Sequence, residues 1–153
     1  MTKARKFRQL LHSKNLEFKG NLSELWRQFK LQWKLASLVP NNSQRRILLK
    51  RLRTISRRVP CPHNESDILS FGIEILSIPK SKDGCIVEAG SYKGGSTARF
   101  SLFAKLAGRR LIVFDSFEGL PENMEKHDKS ILGHSIKGWF RGGEFCGALE
   151  EVQ

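Results

Sequence analysis

The chain has 153 residues, 39% of them hydrophobic, and a formal net charge of +12. That length suits one domain, and the apolar content allows a buried core and excludes a chain disordered throughout. No apolar run approaches the roughly 18 residues of a membrane span, and the start, MTKARKFRQLLHSKN, is basic without the apolar segment of a signal peptide, so a cytoplasmic protein is expected.

The charge is uneven. Residues 1–60 hold 16 Lys+Arg and 2 Asp+Glu, giving 16 − 2 = +14, whereas residues 61–153 hold 11 and 13, giving 11 − 13 = −2. The chain therefore divides into a basic helical segment, 1–60, and a nearly neutral remainder, 61–153. Cys61, Cys85 and Cys146 are odd in number and form no CxxC pair, so no disulfide framework is expected and a reducing compartment fits. Cys61-Pro62-His63 has no second pair at ligand spacing, and a loop cysteine and loop histidine is the simpler reading than zinc.

Three helices are predicted first. In NLSELWRQFKLQWKLASLVP, Leu22, Trp26, Phe29, Trp33 and Ala36 recur at helical spacing as a packing stripe. Asn21 and Glu24 form a capping box there, and Pro40 closes the segment. In SQRRILLKRLRTISRRVP, Leu48, Leu52, Ile55 and Val59 share a face, Ser43 is the expected cap, and arginines and lysines crowd the other faces. In NESDILSFGIEILSIP, Asn64 caps and Leu69, Ile73 and Leu76 form the apolar line.

Asp83-Gly84 then marks a turn. CIVEA reads as a short buried strand, GGSTARFSLFAKLAG as a helix with Ala98, Leu102, Phe103 and Leu106 inward and Gly108 as its cap, and RRLIVFD as a second buried strand. Strand, helix and strand without a hairpin make a βαβ unit and a parallel pair. From SFEGLPE to RGGEFCG no element is evident, and ALEEVQ begins a helix.

The turn VEAGSYKGGST stands where open α/β sheets bind ligands, at the carboxyl end of a parallel strand. Gly90 permits a sharp turn, and Gly94 and Gly95 permit close approach to the main chain. The helix start adds unpaired N–H groups and partial positive charge. Asp115, 20 residues after Gly95 at the end of the second strand, is placed to accept from ribose hydroxyls, and a turn or cap aspartate is the plainer alternative. The spacing G-x-x-x-G-G is neither the dinucleotide G-x-G-x-x-G nor a P-loop, which disfavours a nicotinamide oxidoreductase. S-adenosyl-L-methionine fits better: it has a ribose for Asp115, no phosphate, and an ammonium that Glu88 can meet.

VEAGSYKGGSTARFSL followed by GRRLIVFDSFEGLPE resembles the macrocin O-methyltransferase family, with CPHNESDILS and GEFCGALEEV as similar flanks. The resemblance covers roughly residues 60–153 and implies an α/β fold: the N-terminal portion of a Rossmann-like class I methyltransferase sheet, here preceded by basic amphipathic helices. It implies methyl transfer from S-adenosyl-L-methionine to a hydroxyl of a small molecule or sugar. It places Glu88, Gly90, Tyr92, Lys93, Gly94, Gly95, Ser96 and Thr97 in a first cofactor loop and Asp115, Ser116 and Phe117 in a second. Tyr92 and Lys93 also read as solvated loop residues, and Ser96 and Thr97 as first-turn caps. The family's magnesium is held by acidic residues later in the chain, and no such cluster is identifiable here, so magnesium is expected only in a longer form. No general base stands out, since His127 and His134 lie in the long loop. A truncated or partial methyltransferase is the expectation. The N-terminal helices are a candidate homo-oligomer contact. The alternative function is a nucleic-acid or anionic-surface binding protein built on the basic segment, although nucleic acid is not a partner the family implies.

Overall fold

The computed structural model describes residues 22–122, 124, 127–136, 138 and 141–152. They form a mixed helix and strand structure with one small parallel sheet. The described part of helix α1 is 22–38. There follow α2 (Asn42–Arg58), α3 (Glu65–Ser77), β1 (Ile86–Ala89), α4 (Gly95–Ala107), β2 (Leu111–Phe114) and α5 (Leu149–Val152).

Cap chemistry sets the helix limits. The Asn41 side chain accepts from Gln44 N at 2.9 Å, so Asn41 rather than Ser43 caps α2, and Ser43 falls inside the first turn. Asn64 caps α3 as expected, accepting from Asp67 N at 2.8 Å. Helix α4 ends as expected at Gly108, which takes a left-handed conformation that costs a glycine little. The capping box at Asn21 lies outside the described residues.

The core draws on both segments of the chain. Leu35, Leu48, Leu52, Ile68, Ile73 and Phe103 are buried together. Phe103 is 0% exposed, and its ring occupies the place where a Cβ on Gly72 would stand, 2.3 Å from the nearest ring carbon. Glycine at 72 therefore lets α3 and α4 close upon each other. Phe71 and Phe100 extend the contact edge to face, with centroids 6.0 Å apart.

One face of α1 is corrected. The predicted stripe of Trp26, Phe29 and Trp33 faces water, and the opposite line, Leu31, Leu35 and Leu38, packs into the core. Polar contacts to α3 fix that rotation. Arg27 donates to Asp67 at 2.6 Å, Lys34 to Glu74 at 3.0 Å, and Ser66 links Gln28 to Glu24.

The strands pair in parallel, Ile86 with Leu111 through Ala89 with Phe114. Gly90 N donates to Phe114 O at 2.8 Å and carries the ladder one residue further. The strands were expected to be buried, but none of their residues is fully so. Thr97 on α4 reaches Glu88, which places the face carrying Ile86, Glu88, Leu111 and Val113 toward that helix. On the opposite face Val87 and Phe114 are exposed. A sheet is buried on both faces only when layers cover both. Among the described residues, one layer of helices covers one face.

Candidate functional site

The carboxyl ends of β1 and β2 lie side by side, and each feeds a turn. Asp115 ties the turns together. Its Oδ2 accepts from Ser91 N at 2.5 Å, from Ser91 Oγ at 3.1 Å and from Tyr92 N at 3.1 Å, and its Oδ1 accepts from Phe117 N at 2.8 Å. The Phe117 amide, then those of Ser91 and Tyr92, hold the carboxyl below the usual carboxylate range. Asp115 is thus ionised at neutral pH. Oδ2 is saturated by three donors, while Oδ1 takes one and has a lone pair to spare.

A cavity of about 420 Å³ opens beside it, lined by Gly90, Tyr92, Phe114, Asp115, Ser116, Gly119, Leu120 and Phe145. That size suits a small organic ligand. Tyr92 and Phe145 meet edge to face, centroids 5.8 Å apart, as an aromatic wall. Among the described residues, the non-glycine positions with positive φ are Tyr92, Phe117 and Phe145, at 53°, 61° and 57°. Each costs roughly 1 kcal/mol or more, and such strain collects at ligand sites. All three surround this cavity or brace its aspartate.

Gly90 stands at the junction of two clefts. Its φ is +87°, and nothing lies within 4 Å of where its Cβ would point. It borders the 420 Å³ cavity and also a cleft of about 580 Å³ on the other side of β1, where Glu88, Phe71 and Ile75 take part. Glu88 Oε2 accepts from Thr97 Oγ1 at 2.6 Å, and its Oε1 accepts no hydrogen bond among the described residues. Thr97 therefore braces Glu88 rather than capping α4.

The paired glycines serve packing. A Cβ on Gly95 would stand 2.4 Å from Pro60 O, and one on Gly94 would stand 3.2 Å from Val152 Cγ1. Gly94 is the left-handed N-cap of α4. Lys93 turns away to Glu151 at 3.3 Å. Of the cofactor residues read from the sequence, Gly90, Tyr92, Asp115 and Ser116 line the cavity. Glu88 lines the neighbouring cleft, Ser96 is buried, and Lys93, Gly94, Gly95, Thr97 and Phe117 support the loops.

The segment read as featureless supplies the far wall. Leu120 N donates to Glu144 O and Gly143 N to Leu120 O, both at 2.8 Å, and Cys146 Sγ lies 3.3 Å from Phe117 O. His127 and His134 are exposed, His134 on a small hairpin closed by a Lys129–Ser135 bridge, away from the cavity lining. Four lining residues, Phe114, Gly119, Leu120 and Phe145, are not among the site residues read from the sequence; Phe114, Gly119 and Leu120 lie inside the FDSFEGLP motif, and Phe145 lies outside it. Gly147 fixes the wall, because a Cβ there would stand 2.1 Å from Tyr92 O, a backbone atom. Gly147→Ala is expected to displace residues 141–152 and cost about 1–3 kcal/mol, as overpacking does. Faster amide exchange at Leu120 and Gly143 would register it; unchanged exchange would contradict it.

Among the described residues no group of three or more His, Cys, Asp or Glu could hold a metal ion, so magnesium has no fitting ligand set there. Comparison with protein-family models, curated proteins and solved structures finds no match. No described helix is long and apolar enough to cross a membrane.

Proposed function

We propose that this chain carries the cofactor-binding half of an S-adenosyl-L-methionine-dependent O-methyltransferase with a Rossmann-like sheet. The observation that carries the reading is Gly90. It stands open between two clefts, with Asp115 on one side and Glu88 on the other. A ligand crossing Gly90 has its ribose beside Asp115 and its ammonium beside Glu88. A Cβ at 90 would project into its path.

In this reading each group has a distinct role. Asp115 offers Oδ1 alone, so it receives one ribose hydroxyl rather than gripping both with both oxygens. Phe114, Leu120, Tyr92 and Phe145 supply apolar surface for a purine. When bound, adenosylmethionine supplies a reactive sulfonium methyl. The chain's residues hold and orient it, and the acceptor, a small-molecule hydroxyl, must be aligned and deprotonated by groups outside this set.

Calorimetric titration with adenosylhomocysteine tests the reading. Saturable binding is expected, weakened at least about tenfold in Gly90→Ala, with no comparable binding of NAD. A folded chain that binds NAD as well as adenosylhomocysteine, or binds neither, would contradict it.

A further inference from the structure

Helix α1 is apolar on two opposite sides. One side joins the core through Leu31, Leu35 and Leu38. The other carries Leu22, Leu25, Trp26, Phe29 and Trp33, which recur every three or four residues and so share one face. These five are 49%, 65%, 59%, 59% and 73% exposed. The rings touch in series, Trp26 to Phe29 at 6.2 Å and Phe29 to Trp33 at 6.5 Å, so the patch is continuous. A continuous exposed aromatic patch of this kind marks an interaction surface.

The charge beside it selects the partner. Helix α2 has no acidic residue, and Arg46, Lys50, Arg53 and Arg57 recur along one line of it. None of these four has a carboxylate within 4.0 Å among the described residues. Arg53 borders the same small cleft as Gln28 and Gln32 of α1. Gln32 neighbours Phe29 on the helix surface, so Arg53 brings the basic line to the flank of α1 that adjoins the aromatic stripe. Lys30 adds a cation on α1 itself.

We infer that α1 and α2 form a docking surface for an anionic lipid bilayer. Interfacial helices combine tryptophan, phenylalanine and leucine on one face with lysine and arginine beside them. The aromatic rings enter the headgroup boundary, and the basic line meets lipid phosphates. A second copy of this chain, also at +12, would set like charge against like charge. A nucleic acid supplies the negative charge and offers no apolar phase for Leu22 and Leu25.

Flotation of the full chain with vesicles tests this, using phosphatidylcholine alone and phosphatidylcholine mixed with phosphatidylglycerol. Binding is expected to the mixed vesicles, falling with salt. The triple variant Trp26→Gln, Phe29→Gln, Trp33→Gln should lose it, each ring removed lowering partitioning about tenfold. Replacing Arg46, Lys50, Arg53 and Arg57 by glutamine should lower it about as much. Both variants alter exposed positions, and unchanged circular dichroism verifies their fold. Four results would overturn the inference. They are no flotation with either vesicle, equal flotation with both, flotation unaffected by the triple variant, or a dimer or RNA complex that depends on the stripe without lipid binding.

Discussion

Phe103→Ala is expected to lower the unfolding free energy by about 3–5 kcal/mol, the usual cost of emptying a fully buried aromatic site. That is a large share of the roughly 5–15 kcal/mol available to a domain. The ring is 0% exposed and fills the space above Gly72, where α3 and α4 approach. The reciprocal change fails for the opposite reason. Gly72→Ala drives a Cβ to 2.3 Å from the ring of Phe103, a side chain that is fully buried, so the core must shift to admit it. Urea denaturation should show a lower midpoint for each with little change in slope. A stable double variant, Gly72→Ala with Phe103→Leu, would tie both effects to the same contact.

Asp115→Ala is expected to cost about 2–4 kcal/mol, because four donors lose a charged acceptor and Ser91, 2% exposed, keeps its N–H and hydroxyl in place without it. Asp115→Asn should fare little better. Its one carbonyl oxygen can face Ser91 and Tyr92 or face Phe117, and the amide NH₂ then opposes an N–H on the other side. The pH dependence carries a sign. The folded carboxyl titrates below its ordinary value, held there first by the Phe117 amide. Its stabilisation is complete above the unfolded value near 3.9 and fades as pH falls through the lower folded value. The wild type should therefore lose more stability than Asp115→Ala between neutral pH and pH 3, and equal acid losses would contradict the clamp.

The helices were legible because caps and periodicity are local. Asn64, Pro79 and Gly108 each act on neighbours a few residues away. What periodicity cannot tell is which apolar face turns inward. In α1 the helical spacing points to the stripe with the larger side chains as the packing face, whereas the leucine line at 31, 35 and 38 is the one the core uses. Nothing local reveals that Arg27, Gln28 and Lys34 will pair with α3, 40, 38 and 40 residues away.

The site divides in the same way. Gly90 and Asp115 were legible because strand ends and turn spacing announce them. The paired glycines are legible as a requirement of the turn, but the contacts that pack against them are not. Gly95 is small because Pro60 O lies against it, a contact no spacing displays. Arg99 is 2% exposed, donating to Gly95 O and Ser56 Oγ, though an arginine in a helix normally reads as surface. The wall at Phe145 and Gly147 depends on chain returning from more than 50 residues downstream of Tyr92, as the Lys93–Glu151 pair, 58 residues apart, illustrates.

The central claim is that a nucleoside ligand lies across Gly90 between Asp115 and Glu88. Amide chemical-shift mapping of the labelled chain during titration with adenosylhomocysteine tests it most directly. The account predicts the largest shifts at Gly90, Ser91, Tyr92, Ser116 and Gly119, a smaller response at Thr97 through Glu88, and none along Arg46–Arg57. Shifts confined to the basic helix α2, or none anywhere in a folded chain, would contradict it.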